Sequence, residues 1–225
     1  MKFKFIYIVF FSISSLSGFS QEAAVKKGDK KYEQYAYIDA IKTYERVAEK
    51  GYKSPEMLQK LGNSYYFNAD LANAAKWYGE LFAMTEDVDA EYFYRYSQSL
   101  KGIGDYDKAN QMLDKFNQKS GIDTRAQLYA GQKNYLEQIK KNSRRYKLEN
   151  AGINSGYSDY GSAFYGEKVV FVSARDTGNF SKKKHAWTDQ YFTNMYVSDL
   201  SGDGSLSAPQ KFAKTLNTKF HESTP

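Results

Sequence analysis

Three kinds of patterning follow one another along this chain. Residues 5–11 are continuously apolar behind Lys2 and Lys4, and Ser12, Ser14, Ser15 and Ser17 dilute the run before Gly18-Phe19-Ser20. From residue 22 to residue 140 apolar positions recur at intervals of three and four, the period of amphipathic helices. Beyond Tyr146 that period disappears. Short β-prone runs replace it at Gly161 to Tyr165, Lys168 to Ser173, Tyr191 to Ser198 and Gln210 to Ala213, separated by glycine, serine and Asp199-Leu200-Ser201-Gly202-Asp203-Gly204. The chain therefore predicts an α + β protein with a helical module ahead of a β module.

The opening segment has the form of a secretory signal peptide, residues 1–20, with small side chains ahead of Gln21 and an apolar run too short to span a bilayer. An uncleaved anchor is the alternative, and the serines weigh against it. The expectation is an exported mature chain that begins near Gln21 and, in a two-membrane bacterium, works in the periplasm in association with the outer membrane.

Self-comparison of the helical stretch finds a period. Gly28, Ala40 and Tyr44 recur 34 residues later as Gly62, Ala74 and Tyr78, and a third copy keeps Gly104-Asp105-Tyr106, Ala109, Leu113 and Phe116, with Ser97 in place of the earlier glycines. Each copy reads as two helices. In the second, Leu58, Leu61, Tyr65 and Tyr66 make one apolar face, Asn68-Ala69-Asp70 turns, and Leu71, Ala74, Ala75, Tyr78, Leu81 and Phe82 make the next. Gly62 and Ala74 mark where antiparallel helices come closest, and Tyr78 fills the groove towards the next unit. Residues 122–140 predict one more helix, N-capped by Asp123 or Thr124, that closes the open end. The basic run Lys140 to Arg145 reads as a solvated helix terminus leading into a linker, with a functional anionic contact as its alternative.

Through Leu61-Gly62-Asn63-Ser64-Tyr65-Tyr66, Ala74 and Tyr78, and through Gly104-Asp105-Tyr106-Asp107-Lys108-Ala109, residues 22–119 resemble the tetratricopeptide repeat family. The resemblance implies an all-α solenoid with a concave face lined by the first helix of each pair. On that face Asp29, Tyr32, Glu33, Gln59, Asn63, Tyr66, Phe67, Tyr94 and Gln98 are candidates for binding an extended protein segment, since tyrosine offers large contact area at modest entropy cost. Packing between neighbouring helices is the alternative for each tyrosine.

In the β module Ile153-Asn154-Ser155-Gly156-Tyr157-Ser158-Asp159 recurs after 63 residues as Leu216-Asn217-Thr218-Lys219-Phe220-His221-Glu222. A repeating unit of about four strands is the signature of a β-propeller blade. One blade leaves sheet edges unpaired, so the pattern leads to the expectation that a longer protein continues past Pro225, with a stand-alone open sheet that closes by assembly as the alternative. The expected organisation is a helical domain over residues 21–141, a linker over 142–152, and one blade with the opening of a second over 153–225.

The leader, the helical repeats, and Tyr157-Ser158-Asp159-Tyr160-Gly161-Ser162-Ala163-Phe164 followed by Val169-Val170-Phe171-Val172-Ser173-Ala174-Arg175 together resemble a family of envelope proteins. These belong to gliding, type IX secreting bacteria and join tetratricopeptide repeats to a WD40-like (TolB-like) propeller and a peptidoglycan-binding domain of the OmpA family. The resemblance implies a non-enzymatic adaptor whose partners are outer-membrane secretion or gliding proteins. Peptidoglycan contact would come only through a domain that this sequence does not contain.

Composition narrows the chemistry. There is no cysteine, and His185 and His221 are the two histidines. Disulfide frameworks, thiolate metal sites and cysteine nucleophiles are thereby excluded, and no metal or cofactor is expected. The net charge of +6 includes Lys2 and Lys4 of the leader, and 32 basic residues are interleaved with 26 acidic ones. Nothing in that balance points to nucleic acid. Asp199, Ser201 and Asp203 imitate the start of a calcium loop, but Gln210 stands where the bidentate glutamate belongs, which favours a plain hairpin turn. His185 sits in a basic loop, Ser181 to His185, that reads as solvated, with partner docking as its alternative. Asp159 and Glu222 read as acceptors for turn amides. No phosphate loop, dinucleotide fingerprint or serine elbow is present. The reading from another class is a propeller-gated hydrolase whose catalytic domain lies downstream.

Overall fold

The computed structural model describes residues 21–175, 184–213 and 215–223. The expected leader and Ser181-Lys182-Lys183 of the basic loop lie outside them. The chain is α + β and divides between Leu136 and Glu137. The first unit is helical, and the second carries a four-stranded antiparallel sheet.

Helix α1 covers residues 21–33. It is followed by α2 (Tyr37–Glu49), α3 (Pro55–Phe67), α4 (Leu71–Met84), α5 (Ala90–Gly102), α6 (Tyr106–Lys119), α7 (Thr124–Gly131) and α8 (Tyr135–Asn142). From α2 to α7 each helix packs on the next, and α5 also touches α3, so the odd-numbered helices form a contiguous strip there. The 34-residue period is stamped into the backbone of the turns. Tyr35, Ala69 and Gly104 all take left-handed φ values, of 57°, 58° and 82°. In each turn the next residue's amide reaches back to the preceding helix: Ala36 to the Lys31 carbonyl, Asp70 to Tyr65 and Asp105 to Leu100. Asp70 and Asp105 then cap α4 and α6 by accepting the amides of Asn73 and Lys108.

The glycines of the period are set by close approach. A Cβ on Gly28 would stand 2.5 Å from the Tyr44 ring, and one on Gly62 the same distance from the Tyr78 ring. Both tyrosines are fully buried. At the same offset in the third pair stand Ser97 and Leu113, where a shorter partner leaves room for the hydroxymethyl group.

The single helix expected over 122–140 is two. Asp123 caps α7 as expected, accepting the Arg125 amide at 2.8 Å. Gln132, however, leaves helical geometry at φ −138°, ψ 57° just after Gly131. The chain restarts at Tyr135, whose hydroxyl donates to Asn110 Oδ1 on α6 at 3.1 Å. Lys140 and Lys141 lie in the last turn of α8 and are exposed, so the basic run begins inside a helix.

In the second unit β1 (Asp159–Phe164), β2 (Lys168–Ser173), β3 (Asn194–Asp199) and β4 (Gln210–Lys211) pair in sequence order. Strand β2 carries the core. Val170 and Val172 pack with Met195, Val197 and Phe212, while Phe171 on the other face stacks on Tyr196. The third strand starts later than expected because Tyr191, Phe192 and Thr193 are engaged elsewhere. Tyr191 bridges to Lys184, and Thr193 takes the Glu222 amide on its carbonyl. The calcium-like segment is a turn, with the Gly204 amide on the Ser201 carbonyl and Asp203 capping the Ser205 amide at 3.0 Å.

The 63-residue recurrence is a recurrence of geometry. Asp159 accepts both the amide and the hydroxyl of Ser155, at 2.5 and 2.9 Å, and the Ser155 hydroxyl accepts the Tyr157 amide. Glu222 accepts the amide and hydroxyl of Thr218 at 2.9 and 2.8 Å, and the Thr218 hydroxyl accepts the Phe220 amide. Asn217 then stitches this loop to the sheet, receiving the Met195 amide at 2.7 Å and donating to the Phe212 carbonyl at 2.8 Å.

His221 should make that stitch pH-sensitive. Its Nδ1 accepts the Thr193 amide at 3.2 Å, which only the neutral ring can do. Partial burial, reinforced by His185, holds its pKa below the ordinary 6.5. The folded ring thus resists a proton that the unfolded chain takes up, so stability is full above pH 6.5 and falls as the pH drops towards the lowered folded value. The protection factor of the Thr193 amide, followed by hydrogen exchange, should fall across that window. His221→Gln should remove the dependence.

Candidate partner-binding surface

Helices α1, α3, α5 and α7 carry a polar ladder. Asn63 on α3 is its hub, only 3% exposed. Its Nδ2 donates to the Tyr32 hydroxyl on α1 at 3.0 Å, and its Oδ1 accepts the Tyr78 hydroxyl at 2.7 Å and Arg95 Nη1 of α5 at 2.8 Å. Arg95 Nε reaches Glu91 Oε1 at 3.1 Å, and Glu91 Oε2 accepts Arg125 Nη2 of α7 at 2.8 Å. Arg125 ends the ladder on Asp123, at 2.9 Å. Burial pushes the Tyr78 hydroxyl well above its usual range, which keeps it a neutral donor. The Asp123 and Glu91 carboxylates hold Arg125 firmly charged.

Aromatic rings surround the two arginines. Arg95 lies 5.0 Å from the Phe67 ring centre and 6.0 Å from those of Tyr66 and Tyr92. Arg125 lies 4.2 Å from Tyr94, which packs in turn on Phe116 at 5.3 Å. Such pairs fix both members, because the ring quadrupole attracts the cation and the guanidinium covers the ring face.

No family model and no curated protein matches the chain. The surface therefore has to be read from its own geometry.

The candidate residues fall into distinct settings. Tyr66 and Phe67 sit together, half-buried, at the end of α3 beside Arg95. Tyr94 and Gln98 share a cleft of about 290 Å³ with Lys101, Arg125, Tyr129 and Tyr135. Gln59, half-buried, precedes Asn63 by one turn. Asn63 presents no free amide, because every polar atom of its side chain is bonded within the unit. Asp29 is also engaged, accepting the Tyr44 hydroxyl and Lys60, each at 2.7 Å. Tyr32 is the ladder's first member, and Glu33 is exposed.

Sequence reasoning missed Arg95 and Arg125. A signal existed: Arg95 follows Glu91 by four residues on one helix face, and Glu91 and Arg125 are 34 residues apart, the repeat period itself.

Among the described residues no group of three or more His, Asp or Glu side chains could hold a metal, and no helix is long and apolar enough to cross a membrane. His185 packs against Phe192 and His221. Asp159 and Glu222 are occupied with turn amides, as their pattern suggested.

Proposed function

We propose that the helical unit is a tetratricopeptide-type solenoid that binds an extended segment of a protein partner along its odd-numbered helices. The sheet unit is, in this reading, a propeller blade. The whole is a non-enzymatic adaptor of the bacterial envelope, exported to the periplasm and joining outer-membrane secretion or gliding components. The observation that carries the reading is the ladder from Tyr32 to Asp123. It locks the first helices into one pre-organised strip while Tyr66, Phe67 and Tyr94 remain only half-buried beside its arginines. A rigid strip spends little entropy on ordering itself when a flexible segment docks. Aromatic side chains at modest exposure are the anchors such a surface uses.

The test separates Tyr66 from the ladder beneath it. In cells, a photo-crosslinking residue at Phe67 should capture an envelope protein that the same residue at exposed Lys76 of α4 does not. Tyr66→Ala should weaken that captured partner's binding by roughly thirtyfold, about 2 kcal/mol, with helicity by circular dichroism unchanged. Equal capture from both positions, or a Tyr66→Ala variant with full affinity, would show the strip to be packing alone.

A further inference from the structure

Residues 138–148 hold five cations, Lys140, Lys141, Arg144, Arg145 and Lys147, and no acid, in a chain whose 32 basic and 26 acidic residues are otherwise interleaved. Every residue from 137 to 152 is exposed. Helix α8 ends inside this run. There the Ser143 amide and hydroxyl both donate to the Lys140 carbonyl, at 3.2 and 2.6 Å, and Arg144 turns the chain with a left-handed φ of 66°. Lys147 pairs with Glu149, but Lys140, Lys141, Arg144 and Arg145 have no carboxylate partner among the described residues. Three large apolar side chains lie among these charges: Ile139 is 60% exposed, Tyr146 83% and Leu148 91%. All three stand outside both apolar cores. Single exposed hydrophobes are ordinary on a protein surface, whereas three of them between positions 139 and 148, interleaved with unpaired cations, make a patch with two kinds of unmet demand.

We infer that residues 138–148 are an attachment site for an anionic phospholipid bilayer, with the cations against the headgroup phosphates and Ile139, Tyr146 and Leu148 entering the interface. A cation close to an anionic lipid surface gains roughly fivefold in partition. An apolar side chain that already stands in water gives up no packing when it enters the headgroup boundary. Tyrosine suits that boundary, because its ring is apolar and its hydroxyl stays wet. Nucleic acid would use the cations and the Tyr146 ring but has nothing to offer Ile139 and Leu148. A folded acidic partner needs a surface of fixed shape, which side chains without partners of their own do not present. Helix α8 has eight residues, far too few to span a bilayer, so the contact lies along the surface. None of this rests on the peptide-binding reading. It adds a lipid surface to the contacts the chain makes.

The chain has no cysteine, so a single thiol can carry a reporter. An environment-sensitive dye on Asn142→Cys reads this run alone, whatever the leader does, and Asp87→Cys, exposed between α4 and α5, is the control. The whole chain is titrated with vesicles of equal parts phosphatidylglycerol and phosphatidylcholine, and with phosphatidylcholine alone. The dye at 142 should shift to the blue with the anionic vesicles only, and the dye at 87 with neither. Arg144→Gln together with Arg145→Gln should weaken that binding by roughly twentyfold, the weight of two cations at an anionic surface. Tyr146→Ser together with Leu148→Ser should weaken it by roughly tenfold. Neither pair should move the melting temperature, because these side chains bury nothing. No shift with anionic vesicles, an equal shift with neutral ones, or full binding by either double variant would overturn the site. Polyglutamate or a single-stranded oligonucleotide binding as tightly as the anionic vesicles would overturn it too, and would make the run a contact for an acidic protein or a nucleic acid.

Discussion

Replacing Asn63 by leucine should destabilise the helical unit by on the order of 3 kcal/mol, although the new side chain is as apolar as its surroundings. The reason is what the substitution strands. Tyr78 is 0% exposed and would keep a hydroxyl with no acceptor, and Arg95 would lose its hydrogen bond to α3. A buried polar group left unpaired costs about 1–3 kcal/mol, and a charged one more. Tyr78→Phe removes only the donor and should cost about 1 kcal/mol. The double variant should recover part of the loss, because removing both partners of a buried bond is gentler than removing one. Chemical denaturation of the four proteins gives the coupling. Additive losses would mean that Asn63 matters only for its volume.

The same residue shows how far the sequence could be read. Asn63 was legible as a polar position on a first helix, and the 34-residue spacing located the glycines that admit Tyr44 and Tyr78. What spacing could not show was direction. Whether an amide faces a partner or the neighbouring helix depends on what the next helix brings within 3 Å, and here that is Arg95, 32 residues on. Side chains with reach, arginine above all, decide such questions, and they carry no apolar signature for a periodicity argument to detect.

Element boundaries failed for related reasons. The interruption after Gly131 has no proline to announce it, and it is held by Tyr135 on Asn110, a contact 25 residues apart in sequence. Tyr191 to Thr193 are β-prone and were expected to extend β3, but Thr193 is engaged by His221 and Glu222, 28 and 29 residues later. Local propensity lost to tertiary pairing in both places. The left-handed turns tell the converse story. Gly104 advertised its turn, while Tyr35 and Ala69 adopt the same conformation without a glycine because the flanking helices and their reach-back bonds hold it in place.

The two segments that recur at 63 residues share one loop geometry, yet the copies should differ sharply in what they contribute. Asp159 has a partner that Glu222 lacks among the described residues. Arg175 Nη2 donates to Asp159 Oδ1 and to the Ile153 carbonyl, each at 2.9 Å, and its Nε donates to Ser173 Oγ at 2.8 Å. The guanidinium is also 5.2 Å from the ring centres of both Phe171 and Tyr196. The Arg175 and Asp159 side chains are 16% and 11% exposed, so this is an ion pair largely removed from water. Burial alone would raise the Asp159 pKa, but the Ser155 amide, Ser173 and the guanidinium outweigh it and hold the carboxyl at about 2. The stabilisation is therefore complete above the ordinary carboxylate value of 3.8 and is lost as the pH falls towards about 2. Arg175→Met keeps a stem over the two rings but leaves the carboxylate without its cation, and should cost on the order of 3 kcal/mol. Protection of the β2 amides in hydrogen exchange should fall accordingly, and acid unfolding should begin at a higher pH than in the parent. Glu222→Gln keeps an acceptor for the Thr218 amide at an exposed loop and should cost less than about 1 kcal/mol. Comparable losses in the two variants would mean that the loop itself, and not the arginine clamp, anchors the first strand to the sheet.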